Sequence, residues 1–95
     1  MRAAVEISMY PLVGDYRPPI QAFIDRLNTH AELHVLTNAL STQIWGELDQ
    51  VMAILAAEMR HSATAGPQLV FVIKVLPGLS RPAEARPAEA RPAQR

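Results

Sequence analysis

The chain has 95 residues, 49% of them apolar, and a formal net charge of zero. That length suits one domain, and the neutral balance leaves no basic field to draw the chain to nucleic acid or an anionic membrane. The absence of cysteine excludes disulfides, zinc–thiolate sites and a cysteine nucleophile.

The first sixteen residues, MRAAVEISMYPLVGDY, do not read as a signal peptide, because Glu6 interrupts the apolar run and Pro11 follows soon after. Residues 4–10 alternate, with Val5, Ile7 and Met9 on one face and Glu6, Ser8 and Tyr10 on the other. That is a strand. Gly14-Asp15 then signals a turn, and Pro18 suits a first helical turn. Over residues 19–30, Ile20, Phe23, Ile24 and Leu27 recur at the spacing of one helix face. Asp25 and Arg26 fall off that stripe and are expected to stay solvated.

Residues 33–39 and 41–46 read as two further strands joined by a hairpin. Residues 48–61 follow as a second helix, with Leu48, Val51, Met52, Leu55 and Met59 on one face. A fourth strand, LVFVIKVL at 69–76, closes at Pro77-Gly78. Its apolar runs are far too short to cross a bilayer, and a cytoplasmic, unexported protein is expected. The order strand–helix–strand–strand–helix–strand predicts a ferredoxin-like α+β sandwich: one four-stranded antiparallel sheet with both helices on one face. Right-handed crossovers make the first and third strands central neighbours. If those two strands ran parallel in simple register, Met9 would lie nearer Gly46 than Thr42.

The fourth strand is apolar on both faces, interrupted only by Lys74. A strand bare to water on one side should alternate. The face without helices is therefore expected to pack against another copy, as a dimer or tetramer through the sheet. A short chain gains stability by such association.

The domain is read as residues 1–78. Residues 79–95, LSRPAEARPAEARPAQR, repeat RPAEA, place prolines at 82, 87 and 92, and carry no large apolar side chain after Leu79. Such a segment cannot offset its ordering entropy, and a disordered tail is expected. It holds four arginines against two glutamates, net +2, where residues 1–78 hold five basic and seven acidic residues, net −2.

Catalytic patterns are scarce. His30, His34 and His61 form no metal-binding spacing and read as solvated surface residues. Ser8, Ser41 and Thr42 lack a nearby base and orienting group. Glu47 and Asp49 flank a helix start, where acids are favoured. No phosphate loop is present. Trp45 reads as packing at the sheet surface or as a stacking platform. The chain is expected to be neither an enzyme nor a cofactor protein. One stretch stands apart: Thr37, Asn38, Ser41, Thr42 and Gln43 fall within seven residues, with no charge among them. The cluster reads either as a half-exposed hairpin or as a pocket offering donors and acceptors without charge, which suits a neutral heteroaromatic ring.

ISMYPL at 7–12, TNALSTQIWGELDQVM at 37–52 and FVIKV at 71–75 closely resemble the thiamine/hydroxymethylpyrimidine-binding family, often called YkoF-like. The resemblance covers residues 5–78. It implies a ferredoxin-like domain that binds thiamine or its hydroxymethylpyrimidine moiety in vitamin salvage or transport. A single-domain chain of this kind would form oligomers through its sheets. The resemblance points to Met9 and Thr42 first: main-chain groups near Met9 can pair with a pyrimidine edge, and Thr42 supplies a hydroxyl. Ser8, Tyr10, Asn38 and Ser41 follow, with Met9, Tyr10 or Trp45 giving contact area. Asn38 departs from the acid that some members carry there, and an amide offers less to a thiazolium cation. The alternative function is a ferredoxin-like oligomeric interaction or regulatory module that holds no vitamin.

Overall fold

A computed structural model describes residues 1–81. The expected disordered tail lies outside the described residues from position 82 on. The elements are β1 (Arg2–Pro11), α1 (Arg17–Leu27), β2 (His34–Thr37), β3 (Thr42–Glu47), α2 (Leu48–Ala65) and β4 (Leu69–Pro77). The sheet order is β2-β3-β1-β4, and every neighbouring pair is antiparallel. This is the ferredoxin-like α+β sandwich, with β1 and β3 in the centre.

Alternation along the strands decides what is buried. Val5, Ile7 and Met9 of β1 and Ile44 of β3 turn toward the helices. There they join Phe23 and Leu27 of α1 and Val51 and Leu55 of α2 in one buried cluster. Phe23 and Phe71 of β4 meet with ring centroids 5.2 Å apart. A side chain at Gly46 would be crowded: a Cβ there would stand 3.0 Å from Val51 Cγ2 and 3.4 Å from the Glu32 carbonyl oxygen. α2 can approach β3 because nothing projects from that position.

Three expectations require correction. The buried line of α2 runs through Val51, Leu55 and Ser62, with Ile54 and Met59 beside it, while Met52 is exposed. The stripe read off the sequence holds at Val51, Leu55 and Met59, and Met52 alone falls outside the covered line. Arg26 and His30 are partly buried and paired, not free in solvent. Arg26 Nε donates to Glu58 Oε1 at 2.6 Å, and its Nη2 donates to the Glu58 carbonyl and the Ser62 hydroxyl. His30 Nε2 lies 2.9 Å from Glu58 Oε2. The Arg26 guanidinium also sits 5.9 Å from the centroid of the Phe23 ring. Together these groups tie α1 to α2. Burial raises the Glu58 pKa, but hydrogen bonds from His30 and Arg26 outweigh it and hold the carboxyl below its ordinary value.

The other face of the sheet carries Ala4, Glu6, Ser8 and Tyr10 from β1 and their partners Leu76, Lys74, Val72 and Val70 from β4. Val70, Val72 and Leu76 remain exposed. Lys74 Nζ lies 3.4 Å from Glu6 Oε1. No helix among the described residues is long and apolar enough to cross a membrane.

Candidate functional site

The site lies at one end of the sheet, where β1 outruns β3. The β1–β3 ladder ends at Ile7 opposite Thr42, whereas β1 continues beside β4 to Pro11. Backbone hydrogen-bonding direction alternates along a central strand. The Leu12 N–H bonds the Gln68 carbonyl, and the Arg2 carbonyl accepts from the Gly78 N–H. Even-numbered β1 residues therefore bond toward β4, and odd-numbered ones toward β3. Met9 is odd-numbered and has no β3 residue opposite it. Its peptide N–H and C=O point into the gap left by the end of β3.

The antiparallel sheet expected from the strand order is the one observed, so the separation that a parallel β1–β3 register would impose does not arise. In the antiparallel register Thr42 lies two positions from Met9, and Gly46 lies at the far end beside Ala3. One subunit holds both residues together without a bulge. The reason is topological: in two interleaved strand–helix–strand units the parallel partners are β1 and β2, and β3 runs between them in the opposite direction.

The gap opens into a cavity of about 230 Å³. Its floor and walls are Ile7 and Met9 from β1, and Ile20, Phe23 and Ile24 from the first two turns of α1. Its other side is the hairpin of residues 37–42. All six residues singled out from the sequence border it: Ser8, Met9, Tyr10, Asn38, Ser41 and Thr42. None of its lining residues is charged.

Each polar group has a defined position. Thr42 is buried on the helix side, and its Oγ1 lies 3.0 Å from Thr37 Oγ1. Asn38 closes the hairpin: its Oδ1 accepts from the Leu40 and Ser41 N–H groups at 2.8 and 3.1 Å. The Asn38 N–H donates to the Ser41 carbonyl. This side-chain turn leaves the Asn38 NH₂ as the group that can address a ligand. Ser41 Oγ donates to Glu6 Oε2 at 3.0 Å, across to the open face. Ser8 and Tyr10 border the cavity along the free strand edge, and Tyr10 is exposed.

Trp45 does not join them. It stands on the open face, three residues along β3 from Thr42 and paired with His34, their rings 5.8 Å apart. Ile20, Phe23 and Ile24 line the cavity but were not read as site residues, and Thr37 belonged to the polar stretch without being among the six candidates. The helix stripe does contain both isoleucines, but periodicity cannot separate a wall residue from a core residue.

The fold and cavity define a ferredoxin-like chain with an uncharged, apolar-walled cleft at a free strand edge. No protein-family model matches the sequence, and no curated protein matches it. Solved structures do share the fold. A "putative thiamine biosynthesis/salvage protein" from Thermotoga maritima superposes with a TM-score of 0.73 at 17% identity, covering 80% of this chain and 83% of its own. A Streptococcus pneumoniae protein gives a TM-score of 0.76 at 25% identity, over 83% of this chain and 89% of its own. A DUF77 domain, of unknown function, from Bacillus cereus gives 0.68 at 17% identity, over 85% and 82%.

Proposed function

We propose that this chain is a non-catalytic, cytoplasmic member of the thiamine/hydroxymethylpyrimidine-binding family, and that its cleft takes the aminopyrimidine ring. The observation that carries this reading is the free Met9 edge inside an uncharged cavity. An adjacent peptide N–H and C=O offer one donor and one acceptor, side by side and fixed by the sheet. An aminopyrimidine presents the complementary acceptor and donor on one edge. The Thr37–Thr42 hydroxyl pair and the Asn38 NH₂ are positioned for the remaining ring nitrogen and the hydroxymethyl group. Ile20, Phe23 and Ile24 supply the apolar wall for the ring's faces.

Size and charge favour the ring moiety over the whole vitamin. Pockets for drug-sized ligands span roughly 300–1,000 Å³, and a cleft of about 230 Å³ that opens to solvent seats one ring with any further moiety outside it. No lining carboxylate is present to meet a thiazolium. The shared fold with a Thermotoga maritima protein named for thiamine biosynthesis or salvage supports the vitamin connection. The exposed apolar strip of Val70, Val72 and Leu76 supports assembly of copies through the open face.

Calorimetric titration with hydroxymethylpyrimidine and, separately, thiamine tests the reading. Saturable binding of hydroxymethylpyrimidine near one per chain, tighter than thiamine, is the expected result. No heat with either, from a folded protein, leaves the interaction module as the better account, resting on the same exposed strip.

A further inference from the structure

We propose that Glu6, which lies outside the cleft, decides which pyrimidines are refused. It holds the hydroxyl hydrogen of Ser41, and a Ser41 that can only accept turns away a ring bearing a carbonyl in place of the amino group. The inference rests on the aminopyrimidine reading of the cleft and adds the residue that sets its selectivity.

The seat of the ring follows from where the β1–β3 ladder stops. Continued past Ile7 and Thr42, the register would set Ser41 opposite Ser8 and Leu40 opposite Met9. The hairpin turn takes those residues away. Asn38 Oδ1 accepts from both of their N–H groups, and the Leu40 side chain is 88% exposed. A ring on the Met9 edge thus fills the place of the missing strand, with the hairpin across from it. Ser41 borders that space on the side of Ser8. That is the side of the Met9 N–H, because a residue's amide nitrogen is the end joined to the residue before it.

Ser41 has one group left to meet a ligand. Its peptide N–H goes to Asn38 Oδ1, and its carbonyl accepts from the Asn38 N–H. The hydroxyl carries one hydrogen and two lone pairs, and the hydrogen goes to Glu6 Oε2 at 3.0 Å. A carboxylate has none to give back. Glu6 is held in turn. It stands opposite Gln43 and Lys74 in the two ladders, and its Oε1 lies 3.4 Å from Lys74 Nζ. Toward the cleft, Ser41 presents lone pairs alone.

Two rings meet this arrangement differently. An aminopyrimidine accepts from the Met9 N–H through a ring nitrogen and donates an amino hydrogen to the Met9 carbonyl. Its amino group then lies at the carbonyl end, away from Ser41. In the oxo ring, donor and acceptor are exchanged. It pairs with the Met9 edge only when turned over, its ring N–H on the Met9 carbonyl and its oxygen on the Met9 N–H. That sets the oxygen beside Ser41, lone pair against lone pair. Sites built from hydrogen-bonding groups reject such mismatches, because a polar group is left without its partner. Glu6 acts through Ser41 and touches neither ring, so it is a positioning residue.

Calorimetric titration of wild type and Glu6→Ala with hydroxymethylpyrimidine and with its oxo counterpart tests the proposal. Wild type should bind hydroxymethylpyrimidine at least roughly tenfold more tightly. In Glu6→Ala, Ser41 can turn its hydrogen toward the oxo ring. Affinity for that ring should rise by roughly tenfold, while affinity for hydroxymethylpyrimidine stays within about threefold. A merely structural role for Glu6 would weaken both rings alike and cannot produce a gain. Ser41→Ala removes the opposing oxygen and should also gain affinity for the oxo ring; it decides alone if Glu6→Ala does not fold. A wild type that binds both rings equally, or variants that leave their ratio unchanged, overturns the role of Glu6 and leaves the cleft reading standing. A folded wild type that binds neither ring removes both.

Discussion

Ile7 stands opposite Thr42 as the last pair of the β1–β3 ladder, and β1 runs on beyond it. That mismatch in strand length creates the candidate site. It frees the Met9 main chain, sets the Thr42 hydroxyl two positions away, and lets the 38–41 turn lean over the opening. The cleft is thus built on the two central strands, where geometry is held from both sides.

Thr42→Val keeps the volume and removes the hydroxyl that faces Thr37. The fold should lose less than about 1 kcal/mol, because the pair is a single neutral hydrogen bond. Affinity for hydroxymethylpyrimidine should fall by roughly tenfold. Calorimetry on the folded variant checks this, and unchanged affinity would remove Thr42 from the site.

Asn38→Asp should retain the turn, since the Oδ1 acceptor for Leu40 and Ser41 survives, while placing a carboxylate beside the cleft. Thiamine should gain on hydroxymethylpyrimidine by up to roughly fivefold, the scale of a partly exposed ion pair. Asn38→Ala should instead weaken both ligands and cost about 1 kcal/mol of stability by undoing the turn. Competition titrations with the two ligands distinguish the outcomes.

Glu58 links α1 and α2 through Arg26 and His30. Its folded pKa is depressed below the ordinary 4.5. The stabilisation is therefore complete above pH 4.5 and lost as pH falls through the lower folded value. Glu58→Gln should cost about 2 kcal/mol at pH 7, the scale of hydrogen bonds to a charged group. The gap between variant and wild type should close in acid, once the pH has fallen through that depressed value. Urea unfolding at pH 7 and in acid measures both, and a gap that persists in acid would show that the carboxylate is not the source.

Gly46→Ala places a methyl group 3.0 Å from Val51 Cγ2 and 3.4 Å from the Glu32 carbonyl. The Val51 side chain on α2 must give way by a few tenths of an ångström, while the Glu32 carbonyl limits movement the other way. A loss of about 1–3 kcal/mol is expected from such overpacking, measured by chemical unfolding. A neutral result would mean that the helix–sheet spacing adjusts freely.

The sequence by itself determined the six elements, their order and the two faces of β1 and β4. Each of these rests on short-range periodicity: side chains alternate along a strand and recur every three to four residues along a helix. Val5, Ile7 and Met9 in the core, and Val70, Val72 and Leu76 on the open face, follow from that rule alone. Segments resembling a known family pointed to six residues, all of which border the cleft. Tertiary structure alone decided the rest. That Thr42 and not Gly46 lies near Met9, and that Trp45 sits away from the cleft, are consequences of register between distant strands. Arg26 and His30 read as solvated because their partner, Glu58, lies about thirty residues away. Local pattern reports which side of an element is apolar. Only the packed chain sets which residues meet across two elements, because that depends on crossover topology and on where each strand ends.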